Sequence, residues 1–122
     1  MSEQNGVDHW SNRESRNEDS ADLAAKGYDL RLLCLNPTSC RDVVSADLTK
    51  YDEVWARIFS GVDTVIHLAG EPRPTANWDT ILPLNITLLL NVLEAMRQYG
   101  GSKMIYASSN WVVAGYRFST GK

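Results

Sequence analysis

The sequence predicts an α/β domain built around a parallel β-sheet. Strand-like and helix-like segments alternate from Ser20 onward. The strand segments are short apolar runs, the pattern of strands covered on both faces. Glycine or Asn-Pro punctuation closes most segments. Alternation of this kind requires right-handed crossovers between parallel strands. Ligands in such sheets bind beyond the carboxyl ends of the strands.

Residues 1–19 are almost entirely polar, rich in Ser, Asn, Glu, Arg and Asp. Such a composition buries too little surface to offset the entropy of ordering, so the reading is a disordered tail followed by one domain over 20–122. Ser20 to Lys26 reads as the last turns of a helix stopped by Gly27. Tyr28 to Leu35 (YDLRLLCL) is a strand, closed by Asn36-Pro37 because proline cannot donate to a ladder and biases the residue before it away from helix. Asp42 to Asp47 (DVVSAD) is a short second strand.

A helix follows in which Tyr51, Val54, Trp55, Ile58 and Phe59 fall at i, i+3, i+4, i+7 and i+8, one apolar face. Thr49 is its expected cap, with Asp52 at the capping-box spacing, and Gly61 its stop. Asp63 to Ala69 (DTVIHLA) is an apolar strand, and His67 within it reads as a core histidine rather than a base. After the loop Gly70-Glu-Pro-Arg-Pro74, a long helix is expected over Asp79 to Tyr99. Pro83 falls near its first turns or kinks it. Apolar residues run most of the way round this helix, so packing on more than one side is expected. Gly100-Gly101 ends it, Lys103 to Ala107 (KMIYA) is a strand, and Ser108-Ser109-Asn110 is the loop beyond.

The chain is 43% hydrophobic and 22% charged, an ordinary globular balance at 122 residues. Net charge is −3 with scattered basic residues, which excludes the basic stripe of a nucleic-acid binder. Cys34 and Cys40 match no zinc spacing and read as free thiols, with no metal site. The N-terminus has no apolar core for a signal peptide, and Ile81 to Met96 reads as too short and too polar to span a bilayer. These features predict a cytoplasmic protein with no membrane partner. Asn85-Ile86-Thr87 spells a glycosylation sequon, discounted because nothing points to secretion. The C-terminal GYRFSTGK is not a phosphate loop, since its spacing is wrong and no Ser or Thr follows the lysine.

Three strand ends carry candidate chemistry: Asp47-Leu48, Leu68-Ala69-Gly70, and Ser108-Ser109-Asn110. Taken in order, SADLTKYDEVWARIFSGVDTVIHLAGEP, WDTILPLNITLLLNVLEAMRQYG and KMIYASSNWVVAGY resemble the extended short-chain dehydrogenase/reductase family. That is the family of NAD-dependent epimerases, dehydratases and sugar dehydrogenases. The Ser-Ser-Asn run is most similar to its uronate-dehydrogenase-like branch. The resemblance implies a Rossmann-like sheet, NAD or NADP as cofactor, and a sugar or sugar-nucleotide substrate.

It also implies roles. Asp47 and the Leu48 backbone would meet the adenine, a carboxylate accepting from the exocyclic amine and an N–H donating to a ring nitrogen. Leu68, Ala69 and Gly70 would line the cofactor's ribose and diphosphate, where small residues let the backbone come close. Asn85 would hold the active-site backbone, Ser108 would face the cofactor, and Asn110 would contact substrate. Ser109 would be the catalytic serine, hydrogen-bonding the substrate oxygen as hydride moves at the adjacent carbon. Read without the resemblance, the same residues are an Asp capping a loop, a turn glycine, a helix-surface Asn and a polar strand-end turn.

The chain departs from the family in several places. No Gly-x-x-Gly-x-x-Gly precedes Tyr28, where only Gly6 and Gly27 occur, so the first strand and its diphosphate-binding turn are expected to be missing. Cys34 and Asn36 stand where an acidic residue would hold the ribose, and Asn36 retains a weak capacity to bond a hydroxyl. After Ser109 the remaining tyrosine is Tyr116, with Thr120 four residues on, so no Tyr-x-x-x-Lys is present. The expectation is a piece of an NAD(P)-dependent sugar enzyme truncated at both ends, inactive alone and of low stability. With its central strand gone, the strand at Tyr28–Leu35 would pair directly with that at Asp63–Ala69. The alternative is a non-catalytic α/β module that binds a nucleotide or a partner. A receiver-like domain fits less well, because strand-end acidic residues do not cluster.

Overall fold

The computed structural model describes residues 5–10, 20–35 and 43–109. Its core is a five-stranded, all-parallel sheet. In chain order the elements are strand β1 (Asn5–Trp10), a helical stretch α1 over 20–25, β2 (Asp29–Cys34) and β3 (Val43–Ser45). Helix α2 (Glu53–Ala56) runs on through a 3-10 turn at Arg57–Phe59. Then come β4 (Thr64–Leu68), the 22-residue helix α3 (Trp78–Tyr99) and β5 (Lys103–Tyr106). The spatial order is β3-β2-β1-β4-β5.

The order overturns two expectations. A first strand is present: Asn5–Trp10 pairs with β2 on one side and β4 on the other, Val7 lying opposite both Arg31 and Val65. Strands β2 and β4 therefore do not pair with each other, and residues 5–10 are not a disordered tail. Residues 11–19 lie outside the described part, as do Asn36, Pro37 and Cys40. The physical reason is a demand of the backbone. Two parallel strands facing an open slot would each present unpaired N–H and C=O groups, and any extended segment satisfies them whatever its side chains. The sequence NGVDHW has no apolar run to announce a buried strand.

The other strands stand where the apolar runs placed them. Leu33, Val65 and His67 are buried in the sheet, and Leu48, Trp55, Ala56, Phe59, Val62, Leu88, Val92 and Ala95 close the core around it. The edge-to-face contacts Tyr51–Trp55 and Trp55–Phe59, with centroids 5.5 and 6.1 Å apart, lock α2 onto that core. The cap of α2 is Asp52, whose carboxylate accepts from the Val54 N–H at 2.8 Å; Thr49 is engaged elsewhere. Val54 is 79% exposed, so the apolar face is narrower than the spacing suggested.

Helix α3 starts at Trp78, one residue before the expected start, and Asn77 caps it. At Leu82–Thr87 it loosens into a π-turn in which the Leu88 N–H reaches the Pro83 carbonyl five residues back. Pro83 has no N–H to give the preceding turn, and the wider register absorbs that loss without ending the helix. Only one face of α3 is packed. Leu88, Val92 and Ala95 are buried, whereas Trp78, Leu82, Ile86, Leu90 and Leu93 form an exposed apolar stripe. By length and composition alone α3 is long and apolar enough to cross a membrane, which the shorter stretch Ile81 to Met96 did not suggest. In this fold it serves as the β4–β5 crossover.

Candidate functional site

Every strand is parallel, so the loops after β3, β4 and β5 all leave the same edge of one sheet. Asp47 and Leu48 stand two and three residues beyond β3, Ala69 and Gly70 directly beyond β4, and Ser108 and Ser109 just beyond β5. Backbone bonds hold the loop roots in register. The Ala46 N–H donates to the Cys34 carbonyl, and the Ala107 N–H to the His67 carbonyl, each at 3.0 Å. Asn110 and Tyr116 fall outside the described residues.

In the β3 loop, Asp47 Oδ1 accepts from the Thr49 hydroxyl at 2.5 Å and from the Thr49 N–H at 3.1 Å. The Thr49 hydroxyl, helped by its amide and by the Lys50 cation, holds the Asp47 carboxyl below the usual carboxylate range. The carboxylate is thus ionised, oriented and still partly exposed, with Lys50 Nζ 4.0 Å from Oδ2. The Leu48 side chain is buried at 2% exposure and anchors the loop in the core. Its carbonyl accepts from Asn91 Nδ2 on α3 at 2.9 Å, and the Trp55 indole N–H donates to the Lys50 carbonyl at 3.0 Å. This loop is a fixed feature of the surface rather than a loose turn.

In the β4 loop, Asn85 reaches down from the π-turn of α3. Its Oδ1 accepts the Glu71 N–H at 2.6 Å, and its Nδ2 donates to the Glu71 carbonyl at 3.4 Å. A side chain on Gly70 would bring its Cβ to 3.0 Å from Asn85 Oδ1, so the residue is glycine because helix and loop meet there. The Glu71 carboxylate is 8% exposed and takes a bidentate pair from Arg73, Nε at 2.7 Å and Nη2 at 2.9 Å. Those hydrogen bonds lower its pKa to about 2. Loop and helix therefore form one rigid rim beside Leu68, Ala69 and Gly70.

His67 is 1% exposed and stacked on Tyr106 of the edge strand, ring centroids 5.6 Å apart at 11°. Burial lowers its pKa to about 4, so it is neutral at pH 7. It belongs to the core, as its apolar neighbours in sequence indicate. Ser108 and Ser109 are exposed at the lip of β5. Among the described residues no three His, Cys, Asp or Glu side chains are grouped to hold a metal ion.

Sequence reasoning named Asp47, Leu48, Leu68, Ala69, Gly70, Asn85, Ser108 and Ser109, and the structure sets all of them at or directly above one sheet edge. It missed Asn91, Glu71 and Arg73. Asn91 had a signal, a polar residue inside the apolar run LLLNVL; the Glu71–Arg73 pair, two residues apart in a proline-flanked loop, had none.

The edge fits the two ends of a dinucleotide better than its middle. An oriented carboxylate and an anchored backbone stand at one end, and a close-approach glycine and a serine pair at the other. Between them a diphosphate needs a glycine-lined turn, and no glycine occurs between Gly6 and Gly27.

The sequence profile of the NAD dependent epimerase/dehydratase family matches residues 3–117. The chain is 40% identical over 99 residues to an NAD-dependent glucose-6-phosphate dehydrogenase of Haloferax volcanii, covering 73% of this chain and 37% of that protein. It is 34% identical over 99 residues to a uronate dehydrogenase of Pseudomonas putida, covering 75% of this chain and 36% of that one. A mutant uronate dehydrogenase from Agrobacterium tumefaciens, solved with NAD, superposes with a TM-score of 0.74 at 26% identity, covering 88% of this chain and 41% of its own. The chain thus spans little more than a third of the length of these curated relatives.

Proposed function

Because the chain belongs to the NAD dependent epimerase/dehydratase family, we propose that its sheet edge supplies both ends of an NAD(P)-binding groove, together with the serine, of a sugar-oxidising enzyme. Asp47 and the Leu48 backbone take the adenine. Leu68, Ala69 and Gly70, beside Asn85, line the cofactor's ribose and diphosphate, with Ser108 facing the cofactor. Ser109 hydrogen-bonds the reacting oxygen of the substrate, and Asn110 contacts the sugar. The relatives act on glucose 6-phosphate and on uronates, so the substrate class is a sugar, sugar acid or sugar nucleotide. The proposed setting is the cytoplasm.

When bound, a nicotinamide ring gives or takes hydride. What the chain's own residues contribute is position. The Ser109 hydroxyl orients the substrate oxygen, and the Asn85–Glu71 bonds keep the β4 loop from collapsing into the groove. No Tyr-x-x-x-Lys in these residues accepts the proton that must leave the sugar hydroxyl, so turnover by this chain is negligible.

One observation supports this reading above the others: the three loops, read from sequence in family order, leave one edge of one parallel sheet. Isothermal titration of the purified chain with NAD and NADP tests it. Saturable binding in roughly the millimolar range, about 4 kcal/mol, is expected from a groove that grips the ends without a diphosphate cradle. No saturable binding of either dinucleotide overturns the reading. Robust reduction of NAD with a uronate or a sugar phosphate overturns the part that assigns negligible turnover.

A further inference from the structure

We propose that Asn91 is a positioning residue for adenine recognition, setting the direction of the Asp47 carboxylate through the Leu48–Thr49 peptide. The inference rests on the cofactor reading of the edge and adds a residue to it.

Asn91 lies on α3 in the middle of an apolar stretch, with Leu88, Val92 and Ala95 buried around it. A leucine or valine at 91 would continue that seam, and a half-buried amide there costs free energy unless it is hydrogen-bonded. Its Nδ2 donates to the Leu48 carbonyl at 2.9 Å, across 43 residues of sequence. In a trans peptide the C=O and the following N–H point in opposite directions. Drawing the Leu48 carbonyl toward α3 therefore turns the Thr49 N–H away from it. That N–H donates to Asp47 Oδ1 at 3.1 Å, and the Thr49 hydroxyl donates to the same oxygen at 2.5 Å. Oδ1 is thereby fixed, and Oδ2 lies 4.0 Å from Lys50 Nζ.

Other bonds brace the turn. The Lys50 N–H donates to the Asp47 carbonyl at 3.2 Å, and Trp55 holds the Lys50 carbonyl. These fix where the loop sits. The Asn91 bond fixes the rotation of one peptide plane, and with it where a carboxylate oxygen points. An adenine amine needs an acceptor in one direction, so losing the rotation weakens adenine binding without unfolding the loop.

The test uses the full chain with two substitutions, Asn91→Asp, close in shape but unable to donate when ionised, and Asn91→Leu, which fills the seam. Binding of AMP and of nicotinamide mononucleotide is titrated for each, and amide hydrogen exchange is followed residue by residue. The expected result is a loss of about tenfold in AMP affinity in both variants, the scale of one hydrogen bond, with nicotinamide mononucleotide unchanged and faster exchange confined to Thr49 and Lys50. Equal weakening of both mononucleotides, or exchange rising across β4 and β5 as well, would mean a general loosening and overturn the role. So would unchanged exchange at Thr49, whether or not nucleotide binds. A parent chain that takes up neither mononucleotide overturns the cofactor reading itself.

Discussion

Acid should unfold this protein through His67 before its carboxylates matter. The imidazole is 1% exposed, its ring lies against Tyr106, and burial lowers its pKa from 6.5 to about 4. A depressed folded-state value means that the unfolded chain binds the proton more tightly. Stability from this group is therefore fully present above pH 6.5, falls as pH drops through the window from 6.5 to about 4, and is flat below it. Linkage between those two values lowers the unfolding free energy at pH 5 by about 2 kcal/mol relative to pH 7.5. Tyr106 is 50% exposed, so solvent reaches the far side of the stack and screening reduces the effect to about 1–2 kcal/mol. Glu71 and Glu94, with pKa values lowered to about 2 by their arginine partners, begin to contribute only as pH falls below their ordinary 4.5. Urea unfolding followed by tryptophan fluorescence at several pH values, with Trp55 as the buried reporter, measures the slope. His67→Leu removes the titration, and the parent-minus-variant difference isolates it from every group the two share. A difference flat to within about 0.3 kcal/mol between pH 7.5 and pH 5, or one that grows in favour of the parent as pH falls, would refute the reasoning.

Three further outcomes follow from the packing. Arg31 Nη1 donates to the Ile58 carbonyl at 2.5 Å and to the Ser60 carbonyl at 2.6 Å, where the α2 segment ends, so Arg31→Met should lower the urea midpoint by the equivalent of about 1–3 kcal/mol. Gly100 has φ +143° and a would-be Cβ 2.9 Å from the Phe59 carbonyl; Gly100→Ala should cost about 2 kcal/mol or more, read as a lower melting temperature. Val7→Pro removes an N–H from a strand paired on both sides and should cost about 3 kcal/mol or more, seen as aggregation or loss of the cooperative transition, whereas normal folding would mean that Asn5–Trp10 is not central.

Much of the fold was legible because its strands are written in side chains. DLRLLC, TVIHL and KMIY are runs of apolar or β-branched residues closed by turn residues, and the structure moves their ends by only a residue or two. The first strand was not legible, since NGVDHW carries no run of apolar residues. Local competition explains the misplaced cap. Thr49 and Asp52 both suit an N-cap, but Asp47 engages the Thr49 hydroxyl and amide, leaving Asp52 to cap α2. Within the site, Gly70 and Asn85 were named for separate tasks, and only coordinates bring the Asn85 oxygen to 3.0 Å from where a Gly70 side chain would begin.

The presence of β1 also bears on what the edge can hold. Parallel neighbours lie about 4.8 Å apart, so in the order β3-β2-β1-β4-β5 the loop carrying Asp47 leaves the sheet four spacings, about 19 Å, from the loop carrying Ser109. Direct pairing of β2 with β4 would have shortened this to about 14 Å and brought the Asp47 carboxylate toward the β4 rim. The wider edge suits an extended dinucleotide laid across the sheet; the narrower one suits a mononucleotide. The pairing of β1 between β2 and β4 thus sets the spacing of the loops along the edge. That separates two properties usually lost together: substitutions in β1 that preserve its backbone pairing should leave the spacing of Asp47 and Ser109 intact, while loss of the pairing collapses the site even if every residue lining it is untouched.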